Sequence, residues 1–265
     1  MLKHLAILVV ILVTSCTEEL DIDVNATDPQ IIVEANLDNQ RPISIKLSES
    51  VNFDDDNTFP KVKNAVITLS DNVGKSEVLT EVSPGYYTGA TIVGISENTY
   101  FLSIIVNGKE LNSNCSIPIQ VPFDSLIVNK TTGNTGGGPG SVGGTSYEII
   151  VKYTDPANRS NYYRFVEYIN DEYINAYIFD DRLSNGLENS SSLRSNNRRY
   201  KSGDVVKIEM QCISKEVHEY YKSFGNLFGG PANSSTPANP YTNVLGTKLG
   251  YFSSHTLQSK EYIIP

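Results

Sequence analysis

The sequence predicts a mainly β chain carrying one helix. Three observations carry this. Short runs alternate apolar and polar side chains, as Ile43-Ser44-Ile45-Lys46-Leu47 does, and a half-buried strand requires that period of two. Turn residues such as Pro84-Gly85 and Asn107-Gly108 separate the runs. Only one stretch, about 215–228, spaces its apolar residues three and four apart, as a helix does.

The elements follow in order. Residues 16–29 are polar, end in Thr27-Asp28-Pro29 and read as a tether. Strand patterns then fall at 31–35, 43–47, 66–69, 85–88 and 99–106, the last running into the Asn107-Gly108 hairpin signal. This order looks like the immunoglobulin- or transthyretin-like sandwiches of surface proteins, so 30–122 is expected to be a β-sandwich domain. Pro118 and Pro122 favour an extended link at its end.

Residues 123–265 are expected to form a larger β-rich domain. A strand starts at Ser125. Residues 133–144 are nearly all Gly, Asn, Ser and Thr, cannot bury a core, and read as the tip of a long hairpin between 125–130 and 146–154. The stretch lacks the Gly-Lys-Ser/Thr ending of a phosphate loop. Strands follow at 147–153, 162–169, 173–179 and 205–212, with 181–202 read as a polar loop. Ser214 can cap the helix, Val217, Tyr220, Tyr221, Phe224, Leu227 and Phe228 make its apolar stripe, and Gly229-Gly230 ends it. Residues 231–240 read as a loop and 249–257 as the last strand.

The N-terminus gives the clearest functional signal. A basic start at Lys3 precedes an apolar run from Leu5 to Val13, too short to span a membrane, and then Thr14, Ser15 and Cys16. Val13-Thr14-Ser15-Cys16 resembles the lipobox of bacterial lipoproteins, which implies removal of 1–15 and acylation of Cys16. The competing reading is an ordinary signal peptide with a cysteine nearby. Several acyl chains, at about 0.8 kcal/mol per buried CH₂, would anchor the chain stably. Glu18 and Glu19 resemble a surface-export signal of one bacterial phylum, which implies an outer-membrane protein facing the cell exterior; the bland alternative is a polar tether.

The formal charge is −9, and loss of Lys3 makes it more negative. Such a surface disfavours nucleic acid and anionic lipid. Cys115 and Cys212 stand far apart in sequence and read as isolated buried thiols rather than a disulfide. No Cys/His spacing suggests zinc. His218 lacks the second histidine of a zinc protease and reads as a surface or half-buried helix residue. His255 has no evident Ser/Asp neighbour pattern, and no Gly-x-Ser-x-Gly elbow exists. Asp54-Asp55-Asp56-Asn57 has oxygens for calcium but lacks the glycine and closing glutamate of an EF-hand, so it reads as a solvated loop. No catalytic, metal or cofactor residue is assigned. Tyrosines crowd the second half and Trp is absent; most read as core and edge filling, though an aromatic surface could bind sugars or protein.

Asp155-Pro156, Asn161-Tyr162-Tyr163-Arg164-Phe165, Gly203-Asp204-Val205-Val206, Tyr220-Tyr221, Asn239-Pro240-Tyr241-Thr242-Asn243 and Leu249-Gly250-Tyr251-Phe252 occur in that order. The ordered set resembles the bacterial lipoprotein family filed as domain of unknown function 4249. That resemblance implies a non-enzymatic accessory of a TonB-dependent outer-membrane transporter; the alternative is a surface adhesin or glycan-binding module using the Tyr-rich half. The 133–144 stretch departs from the family pattern and reads as an insertion. Two further sites are expected. Asp124-Ser125-Leu126 resembles an O-glycosylation acceptor, the alternative being a plain strand start. Tyr241, among small polar residues after the helix, could anchor a protein partner, with Lys215, Glu219, Lys222 and Asn226 facing outward beside it.

Overall fold

The computed structural model describes residues 28–52, 58–133, 144–193, 200–227 and 239–265. It is mainly β, as the alternation predicts, and sandwich-like, with three sheets and one helix among the described residues. The largest sheet has eight strands. In spatial order they are β12 (Glu172–Asp180), β11 (Tyr162–Ile169), β14 (Val205–Ile213), β16 (Leu249–Ile263), β1 (Ile31–Asp38), β2 (Pro42–Glu49), β6 (Tyr86–Val93) and β5 (Thr80–Ser83). A five-stranded sheet runs β15 (Val244–Leu245), β8 (Lys109–Ser116), β7 (Thr99–Val106), β3 (Val66–Asp71) and β4 (Ser76–Val78). A three-stranded sheet runs β13 (Glu188–Leu193), β10 (Gly144–Thr154) and β9 (Ser125–Gly133).

The expected hairpins are present. β7 and β8 pair across Asn107-Gly108, both at positive φ (51° and 71°), the backbone that a two-residue hairpin turn needs. β9 and β10 pair from Gly133↔Gly144 inward, so the glycine-rich stretch does join two antiparallel strands; residues 134–143 lie outside the described ones.

Three expectations are corrected. The 181–202 segment is not all loop: Glu188–Leu193 is a strand paired with β10. Its sequence, ENSSSL, shows no apolar alternation because it edges its sheet and sends only Leu193 into the core. The last strand runs past Leu257 to Ile263, continuing its ladder with β14. The 122/123 boundary is not a boundary of the large sheet. β1 and β16 pair in parallel from Ile32↔Leu249 to Asp38↔His255, joining strands of the first and second halves into one ladder.

Alternation along the large sheet then decides the layers. Val33, Ala35 and Leu37 of β1 share a face with Phe252 of β16, and across the next ladder with Met210 and Cys212 of β14 and with Tyr163 and Phe165 of β11. The two smaller sheets pack side by side against this one face. The first core closes it with Ile67, Leu69, Leu102, Ile104 and Leu111 of the five-stranded sheet. The second closes it with Ile149, Val151, Tyr153 and Leu193 of the three-stranded sheet. The expected link at 117–122 is anchored rather than loose: Ile117 belongs to the first core, Val121 and Phe123 to the second. Two buried carboxylates in the second half are satisfied by phenols. Asp155 accepts from Tyr163 Oη, and Glu167 from Tyr177 Oη (3.0 Å) and Tyr200 Oη (2.6 Å).

The helix α1 (Lys215–Leu227) starts as expected, with Ser214 Oγ accepting from the Val217 amide at 3.3 Å. Val217 joins the first core, and Tyr220 and Tyr221 close on Tyr251 with ring centroids 4.6 and 5.2 Å away. No helix among the described residues is long and apolar enough to cross a membrane.

Candidate functional site

The face of the large sheet opposite the two cores carries its polar residues. Where β11, β14, β16, β1 and β2 lie side by side, it forms an open cleft of about 370 Å³. Each strand contributes positions two or four apart: Arg164 and Tyr168, Glu209 and Gln211, Tyr251 and His255, Asn36 and Asp38, Pro42 and Ser44. That spacing keeps each pair on one side of the pleat. The β1–β16 ladder runs through the middle, so the cleft needs both halves of the chain.

The charges are held differently. Asp38 accepts from the amides of Gln40 (2.8 Å) and Arg41 (2.7 Å), and from Arg41 Nε (3.0 Å) and Nη2 (2.8 Å). This pair is internally neutral. Glu209 accepts a long bond from Tyr168 Oη (3.4 Å) and lies 3.9 Å from Lys207 Nζ. Burial, and then Glu209, push the Tyr168 phenol up. Arg164 donates from Nη1 to Gln211 Oε1 (2.9 Å), and its guanidinium carbon stands 4.5 Å from the Tyr221 ring centre. Its Nε is buried without an acceptor, and it has no ion-pair partner among the described residues. Asn36 Nδ2 donates to Tyr251 Oη at 3.2 Å.

His255 does have the neighbours that the linear pattern failed to show. Ser253 Oγ lies 2.9 Å from His255 Nδ1, and Asp38 is its register partner across the ladder. The grouping does not make a nucleophile. Ser253 is only 2 % exposed, and burial pushes the imidazole down to about 4, too weak a base to activate a hydroxyl near neutral pH. Among the described residues no group of three or more His, Cys, Asp or Glu could hold a metal ion.

The other sequence candidates fall elsewhere. Cys16, with Glu18 and Glu19, and Asp54, Asp55 and Asp56 lie outside the described residues. Ser125 opens β9 half-buried, opposite Lys152, beside an exposed Asp124 whose Oδ2 accepts from Thr154 Oγ1 at 3.2 Å. Cys115 and Cys212 are free and buried, and burial pushes both thiols up. They lie in different cores, Cys115 Sγ 3.3 Å from the Ser254 amide and Cys212 Sγ 3.4 Å from the Val121 amide. His218 is deeper than a surface helix residue: α1 lays it against Tyr162, ring centroids 5.0 Å apart, and burial pushes its pKa down.

Tyr241 and Tyr251 part company. Tyr251 is buried under α1, whereas Tyr241 is 45 % exposed and its amide donates to Ser223 Oγ at 2.8 Å. Phe224, expected on the inward stripe of the helix, is 42 % exposed instead and stacks on Tyr220 at 6.0 Å. Of the helix residues expected outward, Lys215 is exposed, and Glu219 and Lys222 are partly exposed and paired at 3.8 Å. The side chain of Asn226 is outside the described ones. The cleft itself was missed by sequence reasoning. Its residues sit at the polar positions of five alternating strands, where each reads as a solvent-facing residue.

The sequence model of one protein family, described as domain of unknown function (DUF4249), matches residues 17–261. No curated protein matches the chain.

Proposed function

The chain belongs to the DUF4249 family, and from that membership we propose that it is a non-enzymatic binding lipoprotein, held at the outer membrane by acylated Cys16, facing the cell exterior and serving a TonB-dependent transporter. The family match begins at residue 17, directly behind the cysteine of the lipobox-like sequence, which fits an anchor followed by the working domain. The observation that carries the partner is the end of α1. Ser223 ties Tyr241 to the helix, and Tyr241 and the adjacent Phe224 both present aromatic surface to solvent. Exposed aromatics of this kind anchor protein contacts. His255 of the cleft is weakly basic and its partner Ser253 is buried, which favours binding over chemistry there.

The second reading is a surface adhesin or glycan-binding module, and the polar cleft is the observation that favours it. Extraction of native membranes in mild detergent, followed by pull-down of the protein, separates the two. A transporter barrel recovered in stoichiometric amount supports the first. Retention on a glycan column with no barrel supports the second and removes the first.

A further inference from the structure

We infer that the cleft across β11, β14, β16, β1 and β2 binds a small hydroxylated carboxylate of the sugar-acid class, with Arg164 as the contact for its carboxylate. The inference rests on the reading of the chain as a binding protein and names what that cleft takes.

Arg164 differs from its neighbour in the cleft. Arg41 is largely exposed and neutralised by Asp38 through two of its nitrogens. Arg164 is half-buried, yet no carboxylate of the described residues pairs with it. A guanidinium withdrawn from water without an opposite charge is unfavourable, and among the described residues its five donors meet one acceptor, Gln211 Oε1. Two contacts hold it in place. Gln211 fixes Nη1, and the face of Tyr221 supports the plane at 4.5 Å. A planar fork of donors fixed by its surroundings is a receptor for a carboxylate or phosphate.

The rest of the lining selects between those anions. Glu209 lies in the same cleft, where among the described residues a 3.4 Å bond from Tyr168 and Lys207 at 3.9 Å hold it. A carboxylate so placed accepts from ligand hydroxyls and repels a second negative charge. One anionic group at Arg164 and hydroxyls toward Glu209 describe a hydroxy acid; a phosphate dianion is disfavoured. The cleft volume of about 370 Å³ falls within the range of small-molecule sites.

The test is titration calorimetry of the full-length protein in detergent micelles, with D-glucuronate, glucose and inorganic phosphate as probes. Glucuronate is expected to bind, and glucose and phosphate to bind at least about tenfold more weakly, the worth of one charge-assisted contact. Arg164→Gln is expected to weaken glucuronate about tenfold or more. Because Arg164 also packs on Tyr221, its variant could lose its fold, so Glu209→Gln is the second probe. It removes the repulsion and should bring phosphate binding closer to that of glucuronate. The inference is overturned if glucuronate gives no heat at millimolar concentration, if glucose binds as tightly, if a folded Arg164→Gln binds unchanged, or if Glu209→Gln leaves the phosphate preference as it was. A transporter barrel that still co-purifies in those cases leaves the docking reading standing, and loss of the barrel with glucuronate binding intact removes docking alone.

Discussion

Asp38 and His255 stand opposite each other where β1 and β16 pair in parallel. Asp38 attracts a proton to the imidazole, but its oxygens are already engaged by Arg41 and two backbone amides. Arg41 and Arg164 oppose that attraction, and burial outweighs it, holding His255 neutral with its pKa lowered to about 4.

Stability should therefore fall on acidification. The unfolded chain takes up a proton near the ordinary histidine value of about 6.5, while the folded chain resists until about 4. Between those values the unfolded state binds more protons, so stability drops as pH falls through the window, by on the order of 3 kcal/mol overall. His218, also pushed down by burial, acts in the same direction. Urea unfolding at pH 7 and pH 5 measures this, and His255→Gln should flatten the slope. Equal stability of the wild type at both pH values would refute a neutral buried His255.

Gly250→Ala should unfold the junction of the two halves. Gly250 has φ +105°, and an added Cβ would fall on the backbone of Val33 in the neighbouring strand, which cannot move without breaking its ladder. A loss above about 3 kcal/mol is expected. Gly203→Ala is the control: its φ is +90° but nothing lies within 4 Å of an added Cβ. It should cost only the conformational strain, about 1–2 kcal/mol. Similar melting temperatures for the two variants would contradict the close approach at Val33.

Tyr163→Phe removes the phenol that Asp155 accepts from, leaving the buried carboxylate with the Gly186 amide at 3.3 Å. Chemical denaturation should show a loss of about 1–3 kcal/mol, the cost of stranding a buried polar group. A neutral result would mean that water replaces the phenol.

Much of this fold was readable locally. The Asn107-Gly108 turn demands positive φ and has it, Ser214 caps α1, and the alternation of Ile43, Ile45 and Leu47 points them into the core. What could not be read is what depends on partners far along the chain. The β1–β16 ladder joins residues more than two hundred positions apart and leaves no trace in local periodicity. β13 has no apolar alternation because its partner, β10, supplies most of the burial. The cleft suffers twice: its side chains look like ordinary solvent-facing positions, and only the ladder between the two halves brings them together. Phe224 was misassigned because helical spacing says which residues share a stripe, while the packing of Tyr220 and Tyr221 on Tyr251 decides where the stripe ends.

Tyr241→Ala should separate docking from folding. At 45 % exposure its truncation should change stability by no more than about 0.5 kcal/mol while reducing recovery of the transporter partner. Tyr251→Ala, at a buried site under α1, should instead cost about 3–5 kcal/mol. A large drop in melting temperature for Tyr241→Ala would end its assignment as a contact residue.

Cys16→Ala should leave the protein without its acyl anchor, because only that thiol can carry the first chain. Fractionation after a carbonate wash should then find it in the supernatant and the wild type in the pellet. Retention of the variant in the pellet would contradict the anchor.

The central position of β1 has a mechanical consequence. It is the first strand of the described residues, so among them a pull transmitted along the chain from its N-terminal side is first taken up by a strand at Ile31. There the load meets not an edge but a strand flanked by β16 on one side and β2 on the other. Ladder hydrogen bonds lie roughly across such a pull, so both rows must shear together rather than unzip singly. A protein hauled by its leading end against flow or a bound partner would load a strand held on both sides, and its lifetime under force would be set by the rate at which that strand is released.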